Sequence, residues 1–390
     1  MKKKIAIIGS TGSIGKTLIK LLKNNKKKYQ IVLLTANSDY KTLLRQAKDF
    51  KVRNLIITNK DIYQVLKKKK LGKKINIYND FENLNVIFKK QKIDYLMSAI
   101  TGIEGLSPTL KVIKYTKKIA VANKESIICG WNLILKELKK HKTKFIPVDS
   151  EHFSLWYGLN NLKVKNIQNI FITASGGPFL KYPINRFKKI TVAQALKHPN
   201  WNMGKKISVD SATMINKVYE VIEAKNIFNL PYNKIHILIH PKSYIHAIIK
   251  FKNGMIKIIA HDTTMKVPIS NTLYDDNDQT ISSTKLNIEN LNNLNLKKID
   301  IKRYPILKLL KILPKNYSLF ETIIVSTNDT LVDLFLKKKI LFIDIYNEMM
   351  KFIKRKEFSK YKNIKPKNIR EIIKLNNYVR LKIIKKVYTS

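Results

Sequence analysis

Cysteine is nearly missing from this chain of 390 residues. Cys129 is the single thiol, so no intrachain disulfide forms and a disulfide-stapled scaffold is excluded. Glycine and proline are sparse, at 12 and 11 residues, which excludes collagen-like and Pro/Gly-rich disordered classes. No apolar run approaches the ~18–20 residues that span a bilayer. The opening Met1-Lys2-Lys3-Lys4 followed by Ile5-Ala6-Ile7-Ile8 imitates a secretory signal. Its apolar stretch stops at Gly9, short of the ~7–15 residues such a segment uses. The expected class is therefore a cytoplasmic enzyme. Acidic residues are scarce too: 27 Asp and Glu stand against 76 Lys and Arg, a formal net charge of +49. Alone, that balance points to a polyanion partner. The excess, however, is almost all Lys, is spread from end to end, and rises together with Ile and Asn, as drift toward AT-rich codons produces. A basic solvated surface is expected, with no specific nucleic-acid partner and no membrane.

What is present is ordinary for a globular protein: 44% hydrophobic and 26% charged residues. Residues 4–8 read as a short buried strand. Further strand patterns at 31–35, 54–58, 75–78, 95–98, 119–122 and 145–148 alternate with helical ones. This predicts an α/β fold whose N-terminal Rossmann-like, doubly wound domain covers 1–149. Strand-like runs at 235–239, 244–251 and 255–260 predict a mixed or antiparallel sheet in an α+β catalytic domain, 150–274. Residues 275–301, rich in Asn and Asp, read as a linker or edge strand. From 302 to 390 the periodicity is that of a helical bundle.

Gly9, Gly12 and Gly15 are spaced three apart between the first strand and the first helix. A side chain in such a turn would block a pyrophosphate, and the helix start offers free N–H groups and a positive dipole end. Thr11, Gly12, Ser13 and Ile14 are thus candidate cofactor contacts. The second strand ends Thr35-Ala36-Asn37-Ser38-Asp39. A carboxylate at that tip would bind a ribose 2′-hydroxyl; its absence favours a phosphorylated cofactor, although the nearest cation is Lys41.

Asp149 and Glu151 follow a predicted strand two residues apart, so an extended backbone would point both the same way. Residues 211–220 read as a helix that starts near Ser211 and puts Asn216 and Glu220 on one face. Asp149, Glu151 and Glu220 together would make an all-oxygen site for Mg²⁺ or Mn²⁺. Spacing alone leaves open that they are surface acids at element ends. His198-Pro199-Asn200-Trp201-Asn202-Met203-Gly204 reads as a lid, or as a loop pinned by its Trp. Ser175, Ser211, Asn216 and Lys217 have the donors to hold a phosphate. Cys129 reads as a small buried hydrophobe.

The same segments resemble one family closely. They are the glycine turn 9–15, Ala122-Asn123-Lys124-Glu125-Ser126, Pro147-Val148-Asp149-Ser150-Glu151-His152, and Ala174-Ser175-Gly176-Gly177-Pro178-Phe179. The loop 198–204, residues 207–214, Asn216-Lys217, Glu220 and the stretch from His240-Pro241 to His246 continue the match in collinear order. Arg303-Tyr304-Pro305 and the segment around Asn328 match more loosely. The family is 1-deoxy-D-xylulose 5-phosphate reductoisomerase, an oxidoreductase with isomerase activity in the non-mevalonate isoprenoid route.

The resemblance implies NADPH and Mg²⁺ or Mn²⁺ as cofactors, a phosphosugar substrate and a homodimer. It implies that Asp149, Glu151 and Glu220 hold the cation and, with Lys124, are catalytic. Ser175, Ser211, Asn216 and Lys217 would grip the phosphate, with His198 close by. Trp201 would pack on the substrate's carbon chain, and Lys124 and Ser150 would meet its hydroxyls. The cofactor set would be Thr11, Gly12, Ser13, Ile14, Asn37, Asn123, Glu125, Met203 and Gly204, with Met203 near the nicotinamide and Glu125 lining the site. The implied reaction is a retro-aldol/aldol rearrangement followed by hydride reduction to 2-C-methyl-D-erythritol 4-phosphate. The sequence departs from the family pattern at Thr263-Thr264-Met265-Lys266, where an acidic-Met-Arg run is usual. Two other readings compete: a semialdehyde-type dehydrogenase, which would need Cys129 as nucleophile, and a non-enzymatic polyanion binder on the same fold.

Overall fold

The computed structural model describes residues 2–68, 75–89, 91–160, 162, 164–274, 281 and 283–389. The chain forms two compact units. One comprises Met1–Ser126, Leu133–Asp149 and Met265–Ser282; the other comprises Ile127–Asn132, Ser150–Thr264 and Ser283–Ser390. No helix among the described residues is long and apolar enough to cross a membrane.

The first unit is built on strands β1 (Lys3–Ile8), β2 (Tyr29–Ala36), β3 (Asn54–Ile57), β4 (Asn76–Tyr78), β5 (Ile93–Ser98), β6 (Thr116–Val121) and β7 (Lys144–Pro147). They lie in the order β4-β3-β2-β1-β5-β6-β7, and every pairing is parallel. Helices on both faces explain why the strands are short continuous apolar runs rather than alternating ones. Strand order reverses between β1 and β5, which makes the end of β1 the switch point of a doubly wound sheet. Ile5, Ile7, Leu34, Leu55, Ile57 and Met97 form its core with Leu18 and Leu22 of the helix Ser13–Lys23.

The helix Lys266–Leu273 belongs to this core as well. Its Ile269 and Leu273 are fully buried there, and Tyr95 Oη and Thr272 Oγ1 are 2.8 Å apart. The compact units thus differ from a division at 149 and 274, because these two apolar residues fill the first unit's interior. Of the expected 275–301 linker, residues 275–280 and 282 lie outside the described residues. The remainder includes the helix Ile288–Asn292 and a short edge strand at 297–298.

The second unit holds β8 (Ile167–Ala174), β9 (Ile235–Ile239), β10 (Ile245–Phe251), β11 (Ile256–Ala260) and β12 (Lys297–Lys298). Their order is β11-β10-β8-β9-β12, with only β8 and β9 parallel. Central strand β8 was not expected from the sequence. Gln168 and Asn169 interrupt its apolar pattern just after Ile167, and the buried positions resume at Ile170, Ile172, Thr173 and Ala174. The helix Ile215–Phe228 covers this sheet through Val221, Ala224 and Phe228.

The helix expected over 211–220 is two helices, Lys205–Thr213 and Ile215–Phe228. They part at Met214, whose φ of 72° is left-handed. Ser211 therefore stands near the end of a helix, not at its start. The C-terminal region is helical as expected, with Phe320–Leu336, Phe342–Ile353 and Ile369–Thr389. The first of these is buried almost all round, from Phe320 to Phe335. Cys129 is fully buried, and its carbonyl accepts a hydrogen bond from Tyr317 Oη.

Candidate active site

In the first unit the glycine turn follows β1 directly. Gly9 has φ +83°, and a Cβ there would stand 2.8 Å from Ala99 O; a Cβ on Gly15 would stand 2.4 Å from Gly9 O. Both positions exclude a side chain, so the strand and the helix start meet with backbone exposed between them. Gly12 is the N-cap of Ser13–Lys23, with no side-chain cap and no acid in the first turn. That helix start retains its affinity for negative charge, beside Thr11, Gly12, Ser13 and Ile14. At the tip of β2, Asn37 Oδ1 accepts from Thr58 Oγ1 at 3.1 Å. Asp39 is spent on capping the next helix through Thr42 N, at 3.1 Å.

Asn123 caps the helix Lys124–His141 by accepting from Ser126 N at 2.7 Å, and its amide donates to Gly102 O at 2.8 Å. This fixes Lys124 and Glu125 in the first turn, where both are buried. Lys124 Nζ reaches Asp149 Oδ2 at 2.9 Å. Asp149 stands between the end of β7 and the helix Ser150–Gly158. The extended backbone expected through Asp149 and Glu151 is thus replaced by a strand-to-helix junction, with Glu151 in the helix's first turn.

The second unit gathers Glu151, Glu220, Asn216 and Lys217. Lys217 Nζ lies 2.9 Å from Glu151 Oε1 and 2.5 Å from Thr173 O, and it also pairs with Glu220 Oε2. Asn216 Nδ2 donates to Glu220 Oε1, as their shared helix face allows. Burial alone would lower the Lys217 pKa, but the Glu151 and Glu220 carboxylates outweigh it and hold the ammonium above the usual lysine value. The polar atoms of Asn216 and Lys217 thus point at the carboxylates expected to hold the cation. His152, to which the sequence motif assigns no role of its own, is fully buried, and its Nε2 lies 2.9 Å from Glu220 O.

Ser175 follows β8 and opens a turn in which Gly176 and Gly177 have φ of +88° and +63°. A Cβ on Gly177 would stand 3.0 Å from Ser211 O, so the turn packs against the helix end that carries Ser211. His198 lies across from it. Its Nδ1 accepts from the N–H groups of Asn200 and Trp201, at 3.1 and 3.0 Å. The ring proton is therefore on Nε2, which donates to Ser175 Oγ at 3.0 Å. Gly177 N donates to the same oxygen at 3.0 Å. With two bonds accepted, the Ser175 hydroxyl keeps its own proton for an anion. Burial, then the Lys217 charge, push the His198 pKa down to about 4.

The 198–204 loop is tied down by Asn200, whose Nδ2 donates to Pro241 O at 2.7 Å and to Ser243 Oγ at 2.8 Å. Sequence reading gave Asn200 no role; its only signal was membership of the loop motif. Trp201 meets the edge of His246 at 6.2 Å between ring centroids. His246 in turn stacks on His261 at 3.7 Å. Burial pushes His246 down to about 3, and it also lowers His261, so two neutral rings stack without repulsion. Met203 precedes Gly204, the N-cap of Lys205–Thr213.

Residues 5–130 match the family described as 1-deoxy-D-xylulose 5-phosphate reductoisomerase. Residues 145–228 match its C-terminal domain, and 262–382 match a further DXP reductoisomerase C-terminal domain. The chain is 56% identical over 382 residues to the 1-deoxy-D-xylulose 5-phosphate reductoisomerase of Pelagibacter ubique (strain HTCC1062), covering 98% of each chain. It is 40% identical over 346 residues to that of Wolbachia sp. subsp. Drosophila simulans (strain wRi), covering 88% of each. Among solved structures it is similar to the Zymomonas mobilis enzyme in complex with NADPH, at 30% identity and a TM-score of 0.89, covering 99% of each chain. It is also similar to a DOX-P reductoisomerase in complex with NADPH, fosmidomycin and magnesium, at 29% identity and a TM-score of 0.90, covering 99% of this chain and 98% of that one.

Proposed function

The chain belongs to the 1-deoxy-D-xylulose 5-phosphate reductoisomerase family, and on that premise we propose that it converts 1-deoxy-D-xylulose 5-phosphate to 2-C-methyl-D-erythritol 4-phosphate with NADPH and a divalent cation. The observation that carries this reading is the convergence of Glu151, Glu220, Asn216 and Lys217 in the unit that also presents Ser175 with its free hydroxyl proton.

Asp149, Glu151 and Glu220 are the residues that would hold the cation, Mg²⁺ or Mn²⁺. The donor set fits, since it is all oxygen, and Glu151 and Glu220 already balance a buried ammonium. When bound, the cation supplies Lewis acidity at a ketone and its neighbouring hydroxyl, and NADPH supplies the hydride.

The chain's own groups do the rest. Ser175 donates its hydroxyl proton to a phosphate oxygen, with Ser211 beside it and Asn216 and Lys217 adding an amide and a positive charge. His198 orders the loop that carries Trp201, which covers the substrate's carbon chain and keeps water out. Lys124 and Ser150 orient substrate hydroxyls. The glycine turn of the first unit takes the NADPH pyrophosphate through Thr11, Gly12, Ser13 and Ile14, with Asn37, Asn123, Glu125, Met203 and Gly204 completing the cofactor set. The working form is a homodimer in the cytoplasm.

The test is NADPH oxidation by the purified protein with 1-deoxy-D-xylulose 5-phosphate, with and without Mg²⁺ or Mn²⁺. Metal-dependent loss of the nicotinamide absorbance is expected. A folded, cofactor-saturated and metal-saturated protein without turnover would overturn the proposal.

A further inference from the structure

Asp210 stands immediately before Ser211, and it is a buried carboxylate with 1% exposure. Such a charge needs partners. One is Lys206, four residues earlier on the same helix, at 3.2 Å. Another is Asn328, whose Nδ2 donates to Asp210 Oδ1 at 2.7 Å from the middle of the helix Phe320–Leu336. Asn328 is itself fully buried. Its amide cannot turn over, because that would set Oδ1 against the Asp210 carboxylate. Lys206 Nζ also reaches Asp329 at 2.9 Å and stands over the Tyr219 ring at 5.6 Å, on the helix that bears Asn216, Lys217 and Glu220.

These contacts lock the helix Lys205–Thr213 in rotation. The lock matters because its two ends bear on the site. At its start, Gly204 ends the 198–204 loop and accepts from Ser208 Oγ at 3.0 Å. At its end, Ser211 lies against the turn that holds Ser175. A helix turn of 1.5 Å rise per residue transmits any slip at Asp210 directly to the neighbouring hydroxyl.

We infer that Asn328, a C-terminal residue remote in sequence from every substrate contact, is a positioning residue for the phosphate-binding end of the site. It acts through Asp210 on Ser211 and on the end of the 198–204 loop. This rests on the reading that Ser211 helps to hold the substrate phosphate.

The test compares wild type with Asn328→Ala, Asn328→Asp, the exchange Asp210→Asn/Asn328→Asp, and Ser211→Ala. The readouts are KM for 1-deoxy-D-xylulose 5-phosphate, Kd for inorganic phosphate, Kd for NADPH and thermal midpoint. Loss of a hydrogen bond to a buried charged group predicts about tenfold weaker substrate and phosphate binding in Asn328→Ala, with a smaller loss of NADPH affinity, since only Met203 and Gly204 of the cofactor set lie at that loop end. Asn328→Asp sets two carboxylates against each other, so its phosphate affinity recovers as pH falls, whereas that of Asn328→Ala does not. The exchange variant restores one donor and one acceptor and is expected to regain most of the affinity; it also serves where Asn328→Asp fails to fold. A lowered thermal midpoint with substrate and phosphate affinities equal to wild type in the Asn328 variants, while Ser211→Ala loses affinity, overturns the positioning role alone. Wild-type phosphate affinity in Ser211→Ala overturns the phosphate reading and the inference with it.

Discussion

His198 Nε2 stands 3.0 Å from the Ser175 hydroxyl, and the bond has one possible direction because Nδ1 is already occupied by two backbone N–H groups. Protonating Nδ1 would cost the loop both of those bonds. The folded pKa, about 4, lies below the ordinary histidine value of 6.5. The bonding to neutral His198 therefore contributes stability fully above pH 6.5, and loses it as pH falls toward 4. The amides of Asn200 and Trp201 are expected to keep their hydrogen-exchange protection at pH 7 and lose it across that window. Protection that stays constant down to pH 4 would contradict the assigned tautomer.

Glu220→Gln keeps the size of the side chain and removes one charge from the pair that faces Lys217. Turnover should fall by at least about 100-fold, the scale on which loss of a metal-dependent charge interaction is felt. NADPH affinity should stay near wild type, since the glycine turn belongs to the other compact unit. Steady-state kinetics alongside a nucleotide fluorescence titration separates the two; equal losses in both would defeat the assignment.

Gly15→Ala and Gly204→Ala form a contrasting pair. A Cβ on Gly15 meets backbone at 2.4 and 2.5 Å, and backbone cannot swing aside; a Cβ on Gly204 meets nothing within 4 Å. The first substitution should cost about 1–3 kcal/mol and weaken NADPH binding, while the second stays within about 0.5 kcal/mol. Urea unfolding of both variants checks the contrast.

Glu321 is fully buried, with Ser318 N and Oγ donating to Oε2 and, among the described residues, no hydrogen-bond partner for Oε1. Burial pushes its pKa from 4.5 up to about 7. A raised pKa means that the folded state favours the protonated form. The associated stability is complete below pH 4.5 and is lost as pH rises through 7. The loss amounts to about 3 kcal/mol, because holding a proton costs roughly 1.4 kcal/mol for each pH unit by which the folded and unfolded pKa values differ. Glu321→Gln should match wild type at pH 4 and exceed it increasingly up to pH 8. A difference that does not change with pH would show that Glu321 ionises normally.

The doubly wound sheet was legible because parallel strands buried on both faces leave short apolar runs, as Ile5-Ala6-Ile7-Ile8 and Leu55-Ile56-Ile57 do. Strand β8 was hidden by Gln168 and Asn169. The break at Met214 was hidden because a left-handed methionine has no sequence signal: glycine or asparagine usually announces such a turn. At the site, the turn glycines were readable from spacing and Asn216 with Glu220 from helical periodicity. The meeting of Glu151 with Lys217 was not, because the partners lie 66 positions apart and only the helix-on-sheet packing joins them. His152 meets a backbone carbonyl and Asn328 a buried carboxylate, contacts that no local pattern encodes.

The return of Lys266–Leu273 to the first unit sets an order of events during synthesis. When residue 149 leaves the ribosome, all seven strands of the parallel sheet exist, yet the interior still lacks Ile269 and Leu273. The nascent N-terminal portion must wait, with an apolar strip beside Leu18 and Leu22 uncovered, until more than a hundred further residues have emerged and the chain comes back. N-terminal-first folding is interrupted here by topology. A fragment cut near Asp149 inherits that uncovered strip permanently, whereas one that splices residues 265–274 onto it has what it needs to close.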